Sequence, residues 1–184
     1  MPEISEGFRS YVPPAWVRPT TERLLKAIPV SRLSGLKTVV LTASNDLNHD
    51  RRRQKTLSRK KKVRIVSCRG LYHQKWHGEP AWIELFVDNI VAEYEGWNWL
   101  PLVRDLAVGE VLAHEIGHHV HATASPEHRE REDVADEWAS RLLVPYFLRR
   151  YWYFMPAVFG LYWVVMKIES LLRKVVLRLS ASAR

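Results

Sequence analysis

Residues 114–118 read His114-Glu115-Ile116-Gly117-His118. Positions four apart on an α-helix share a face, so the imidazoles of His114 and His118 can reach one metal ion. Glu115 lies about 100° further round the helix, where a carboxylate can meet a water on that metal without ligating it. His-Glu-x-x-His on a helix is a zinc-site pattern. Zinc held by three protein ligands keeps a fourth position for water, lowers that water's pKa toward ~7 and polarises a carbonyl. Glu115 then takes the proton and returns it to a leaving amine. The chemistry these five positions imply is metal-assisted hydrolysis of a peptide bond.

The surroundings fit this reading. Arg104 to Ala122 has the pattern of an amphipathic helix, with Leu106, Val108, Val111, Leu112 and Ile116 among polar positions and Leu102 and Val120 extending the apolar face. If His114 and His118 were merely half-buried histidines, two further features would be coincidences. Gly117 lets another segment approach the metal-bearing turn. A second helix, Pro126 to Leu148, is predicted next, capped by Ser125 with Pro126 at its first position. Glu132 sits in its second turn, and Asp136 follows four residues later on the same face.

A third ligand is needed. His121 lies seven residues from His114, a rise of ~10.5 Å, so a straight helix cannot bring all three histidines to one ion. His119 points away from His118. Metzincins place a Gly three and a His six residues after the second ligand; here those positions are His121 and Ala124, which excludes that class. His128 and Glu132 remain. Glu132 is preferred, because an antiparallel helix returns its carboxylate to the first helix and Asp136 can then orient a ligand imidazole.

His114-Glu115-x-x-His118 followed by Glu132-x-x-Ala135-Asp136-x-Trp138-Ala139-x-x-Leu142-Leu143-x-Pro145 resembles the gluzincin metallopeptidases, more narrowly the ImmA/IrrE-like group. The resemblance spans residues 100–146, and residues 20–92 in outline. It implies a zincin-like fold, His114, His118 and Glu132 as zinc ligands, and Glu115 as general base. Asp136 stands where that group usually has Asn. The Glu-x-x-Ala-Asp form also occurs in HtpX-like membrane metallopeptidases, which usually carry a longer insert between the two segments.

A chain of 184 residues is the size of one domain with appendages. Its lone cysteine, Cys68, allows no internal disulfide, fits a reducing compartment and is read as an ordinary strand residue. Met1 to Ser10 lacks signal-peptide architecture, so a cytoplasmic location is expected. The formal charge is +8, and residues 51–64 carry nine basic side chains and no acidic one. Such a run suits nucleic acid, anionic lipid or an acidic protein, or is a solvated loop between strands. It contains no aromatic residue for base stacking and no nucleic-acid-binding motif.

Along the chain, residues 11–19 are expected as an extended arm, and Thr20 or Thr21 as the cap of a short helix stopped by Pro29. Leu36 to Thr42 is predicted as a strand, the basic run as a loop, and Val63 to Tyr72 and Ala81 to Asp88 as two strands joined through His77-Gly78-Glu79-Pro80. One of these strands is a candidate sheet edge for an extended substrate. His73 and His77 are assigned to a polar hairpin tip, and Tyr94, Trp97 and Trp99 to aromatic core rather than a substrate pocket. Tyr146, Tyr151 and Tyr72 are candidates to stabilise an oxyanion. Residues 151–166 carry no charge but fall short of a membrane span. The basic amphipathic pattern beyond them suits an anionic membrane surface or packing on the protein.

The expected fold is α+β: an N-terminal arm and short helix (1–36), a zinc metallopeptidase domain with a small mixed or antiparallel sheet (37–150), and a hydrophobic, basic helical extension (151–184). The expected activity is zinc-dependent metalloendopeptidase cleavage of protein or peptide substrates. The alternatives are a zinc-containing regulatory module of repressor or toxin–antitoxin type, and a membrane-associated HtpX-like peptidase.

Overall fold

The computed structural model describes residues 1–58, 61–124, 132–154 and 156. Among these residues it is an α+β structure with five α-helices and a small mixed sheet. The chain divides into Met1–Tyr146 and Phe147–Arg184.

In the first unit the sheet runs β1 (Glu3–Glu6), β2 (Leu36–Thr42), β6 (Ala81–Phe86), β5 (Gly70–His73) from edge to edge. β1, β2 and β6 are parallel, and β5 returns antiparallel to β6 with Tyr72 opposite Ile83. The β5–β6 connection turns at His77 and Gly78, both with positive φ, and the hairpin places His73 flat against Trp82 at a ring distance of 3.7 Å. β2 has the predicted limits because its β-branched run alternates onto a buried face. Val39 and Leu41, with Ile83 and Leu85 of β6, meet Leu24 and Leu25 of α1 (Val17–Ala27) and Val108, Leu112 and Ile116 of α4 (Pro101–Ala124) in one fully buried core. α5 (Glu132–Arg150) contributes Ala135 and Ala139.

Several expectations are corrected. The N-terminal arm is partly a strand, since Glu3–Glu6 pairs with β2. α1 begins at Val17, ahead of Thr20 and Thr21. Both threonines are buried inside the helix, and the Thr21 hydroxyl donates back to the Val17 carbonyl instead of capping. The basic run is not a loop. It forms α2 (His49–Arg53), β3 (Lys55–Ser58) and β4 (Lys61–Arg64), the two strands pairing antiparallel. The expected strand Val63 to Tyr72 is broken by a turn at Ile65–Ser67, so Cys68 lies in a connection. β6 ends at Phe86, and Val87 and Asp88 open α3 (Val87–Glu93). Trp97 and Trp99 are 62% and 67% exposed, so neither belongs to the core.

On α4 the buried stripe is offset from the expected one. Leu106 is 41% exposed while Asp105 is fully buried. Asp105 accepts from Arg23 of α1 and from the Tyr146 hydroxyl of α5, so one carboxylate joins three helices. Arg23 also donates to Tyr146 Oη at 3.2 Å.

In the second unit, Phe147 and Tyr151 stack at 5.8 Å between ring centroids. The amphipathic pattern expected beyond residue 166, like Ser125, Pro126 and His128, lies outside the described residues. Among the described residues no helix is long and apolar enough to cross a membrane.

Candidate metal centre

His114 and His118 lie in the middle of α4, one turn apart, with Nε2 atoms 3.1 Å from each other. Glu132, the first residue of α5, brings Oε2 to 3.3 Å from His114 Nε2. The three side chains offer ligand atoms that all lie within 4.8 Å of one another. Tetrahedral ligands ~2.0–2.1 Å from a zinc ion stand ~3.3–3.4 Å apart. Two imidazoles and a carboxylate are a donor set such an ion accepts, and the two separations measured through His114, 3.1 and 3.3 Å, match that spacing.

The approach of α5 to α4 depends on Gly117. A Cβ at that position would come 2.6 Å from the Ala135 carbonyl oxygen and 2.9 Å from its Cα. Any side chain there would push the helices apart and withdraw Glu132. The close approach expected of Gly117 is thus directed at the helix that bears the carboxylate.

Asp136 lies one turn beyond Glu132 and accepts from His114 Nδ1 at 2.8 Å. That bond fixes the tautomer, because with the proton on Nδ1 the lone pair of Nε2 faces His118 and Glu132. His118 is 6% exposed. Burial pushes its pKa down to about 4, so it is a neutral imidazole, as a metal ligand must be, at neutral pH.

Glu115 is also buried and lines the same cleft, of about 510 Å³, as the three clustered side chains. β5 presses against it. A Cβ on Gly70 would lie 2.8 Å from Glu115 Oε1 and 2.7 Å from Val111 Cγ1. The absence of a side chain at Gly70 therefore leaves room for the Glu115 carboxylate, and nothing in the local sequence signals this.

His119 and His73 have other partners. His119 is buried with Nε2 2.9 Å from the Ser34 carbonyl. A carbonyl only accepts, so Nε2 carries the proton and Nδ1 accepts from the Tyr72 hydroxyl at 3.2 Å. Burial, opposed by the Ser34 bond, holds the His119 pKa below its ordinary value. His73 donates to Glu84 at 3.2 Å.

Of the three tyrosines considered for oxyanion stabilisation, Tyr72 lines the cleft. Tyr146 is committed to Asp105 and Arg23 in the helix junction, and Tyr151 belongs to the second unit. Tyr94 donates to Glu110 at 3.0 Å.

A scan of protein-family models, a search of curated proteins and a search of solved structures found no match.

Three cleft residues escaped the sequence reading. Cys68 lines it, and burial, then the charge of Glu115, pushes its thiol pKa up to about 11, which makes it a poor nucleophile. Arg69 pairs with Glu93 at 2.6 Å and with Glu110 at 3.6 Å. Leu57 of β3 reaches the cleft from the basic segment.

Proposed function

We propose that the protein is a zinc-dependent metallopeptidase of zincin type, similar to the gluzincins, with His114, His118 and Glu132 holding the ion. The observation that carries this reading is the convergence of two imidazoles and a carboxylate within 4.8 Å, in a cleft that Glu115 also lines. A zinc ion held there would supply Lewis-acid chemistry and activate water near neutral pH. Glu115 takes the proton of the attacking water and delivers it to the leaving amine. Asp136 keeps His114 in the tautomer that presents Nε2. β5 is a sheet edge beside α4 whose residues Gly70 to Tyr72 line the cleft, which suits an extended peptide adding as a strand.

The test is metal content and peptide-library cleavage by the purified chain, alongside Glu115→Gln and Glu132→Ala. The proposal expects stoichiometric zinc and chelator-sensitive cleavage in the wild type, zinc without cleavage in Glu115→Gln, and loss of zinc in Glu132→Ala. Full cleavage by Glu115→Gln would overturn the mechanism. Zinc retained in Glu132→Ala but lost in His128→Ala would move the third ligand to His128. Zinc with no cleavage of any peptide would favour a regulatory module.

A further inference from the structure

The second unit is set apart by composition as well as by contacts. Phe147–Arg184 holds seven Lys or Arg and one acidic residue, Glu169, so +6 of the chain's formal +8 falls within it. It also holds eight of the chain's 20 aromatic residues, a share well above its share of the length. Charges and rings are segregated along it. Arg149 and Arg150 come first, residues 151–166 carry no charge, and Lys167, Arg173, Lys174 and Arg178 follow among aliphatic residues.

The described part of this unit turns rings outward. Tyr151 is buried and stacks on Phe147. Trp152, Tyr153 and Phe154 form one tight turn beyond it and are 68%, 56% and 47% exposed. Their rings are contiguous: Trp152 meets Tyr153 edge-on at 6.4 Å, and Tyr153 lies 4.8 Å from Phe154. Tyr151 stands 6.4 Å from both Tyr153 and Phe154. Leu148, Arg149 and Arg150, just ahead of the turn, are exposed as well. Trp and Tyr combine an apolar body with a polar tip, and such rings are most at home where an apolar phase meets water.

We infer that this unit binds the surface of an anionic lipid bilayer, with Trp152, Tyr153 and Phe154 seated among the headgroups and the flanking basic side chains on their negative charges. Charge decides the partner. A unit of net +6 complements a leaflet rich in anionic lipid, and each basic side chain near such a surface adds to the binding. The uncharged stretch 151–166 favours lipid over nucleic acid, because a polyanion has no apolar layer to receive it. The stretch also falls short of the ~20 residues a helical span needs, so the mode is surface binding. Membrane binding of this kind goes beyond the peptidase reading and requires nothing of the metal centre.

The test floats the full-length protein with vesicles of phosphatidylcholine alone, and of phosphatidylcholine with phosphatidylserine at about 3:1. The phosphatidylserine vesicles should bind about 100-fold more tightly at low ionic strength, and the margin should shrink as salt is raised. Trp152→Ala with Phe154→Ala should weaken binding to both vesicle types by about tenfold. Arg173→Gln, Lys174→Gln and Arg178→Gln together should lower only the preference for phosphatidylserine, by roughly tenfold or more. Circular dichroism of both variants should match the wild type, which separates lost lipid binding from a lost fold. Protein that never floats, binding indifferent to lipid charge and salt, or wild-type binding by both variants would overturn the inference. So would release from phosphatidylserine vesicles by duplex DNA at equal phosphate, which would point to nucleic acid. A dimer that Trp152→Ala with Phe154→Ala dissociates, with no flotation, would assign the rings to a second copy. Flotation of zinc-free protein would leave the inference standing while the peptidase reading fails.

Discussion

Gly117 and Ala135 touch through their backbones: a Cβ on the glycine would lie 2.6 Å from the alanine's carbonyl oxygen. Because α5 carries Glu132 three residues before that contact, the spacing of the two helices sets the reach of the third candidate ligand. Gly117→Ala should therefore cost about 1–3 kcal/mol of stability through overpacking and, at a temperature where the variant is folded, lose stoichiometric zinc. Urea unfolding combined with metal analysis checks both. A folded variant with full zinc content would show that the helices can separate without moving Glu132.

Gly70→Ala acts on a different group. The new methyl would overlap the position of Glu115 Oε1 and Val111 Cγ1, while the three clustered side chains lie elsewhere in the cleft. Zinc content should be retained and peptide hydrolysis should fall by about 100-fold, the penalty typical of displacing a catalytic group by ~1 Å. Loss of metal together with activity would mean that β5 supports the ligands and not the base.

Asp136→Ala removes the acceptor that holds His114 Nδ1–H at 2.8 Å. Zinc affinity, measured by competition with a chromogenic chelator, should drop ~10–100-fold. Asp136→Asn keeps an acceptor oxygen and should lose less. Equal affinities in wild type and Asp136→Ala would remove any orienting role.

Acid should weaken the fold through Glu84. Burial pushes its pKa up, but the hydrogen bonds from His73 and Arg51 outweigh burial and hold it below the ordinary carboxylate value. The folded state thus binds fewer protons than the unfolded one. The stabilisation is present above the unfolded pKa of ~4.3 and is lost as pH falls through the lower folded value. Glu84→Gln should cost about 1–3 kcal/mol at neutral pH, because it strands the Arg51 guanidinium. It should also flatten the acid limb of a stability–pH curve between ~pH 5 and ~pH 2. An acid limb identical to that of the wild type would assign acid sensitivity to other groups.

The candidate ligand set was easier to read than the cleft around it. The spacing of His114, Glu115 and His118 within a periodic helix, and the spacing of Glu132 and Asp136 within the next, state which side chains share a face, and the structure brings them together. β2 was legible because β-branched residues alternate onto a single buried side. The Asp105 junction left a trace, since an acid three residues before Val108 and seven before Leu112 sits on the buried stripe and requires a partner. Arg23 and Tyr146, far away in sequence, could not be named from that trace. The hairpin was missed because lysine-rich strands lack the apolar alternation that marks a buried face; their order comes from the ladder and the Arg51–Glu84 anchor. Exposure of Trp97 and Trp99 has no counterpart in composition, which tells size and polarity but not which side of the fold a loop runs along.

The described residues that line the cleft fall in two groups along the chain, one between Thr56 and Tyr72 and one between Glu110 and Ala139. The later one holds the three clustered side chains and Glu115, and the earlier one supplies the hairpin and the sheet edge. The two walls of the cleft are in this sense separately encoded. Changes confined to the exposed positions of segment 55–69, with Arg51 and Gly70 kept, therefore alter one wall of the cleft and leave the three clustered side chains and Glu115 untouched.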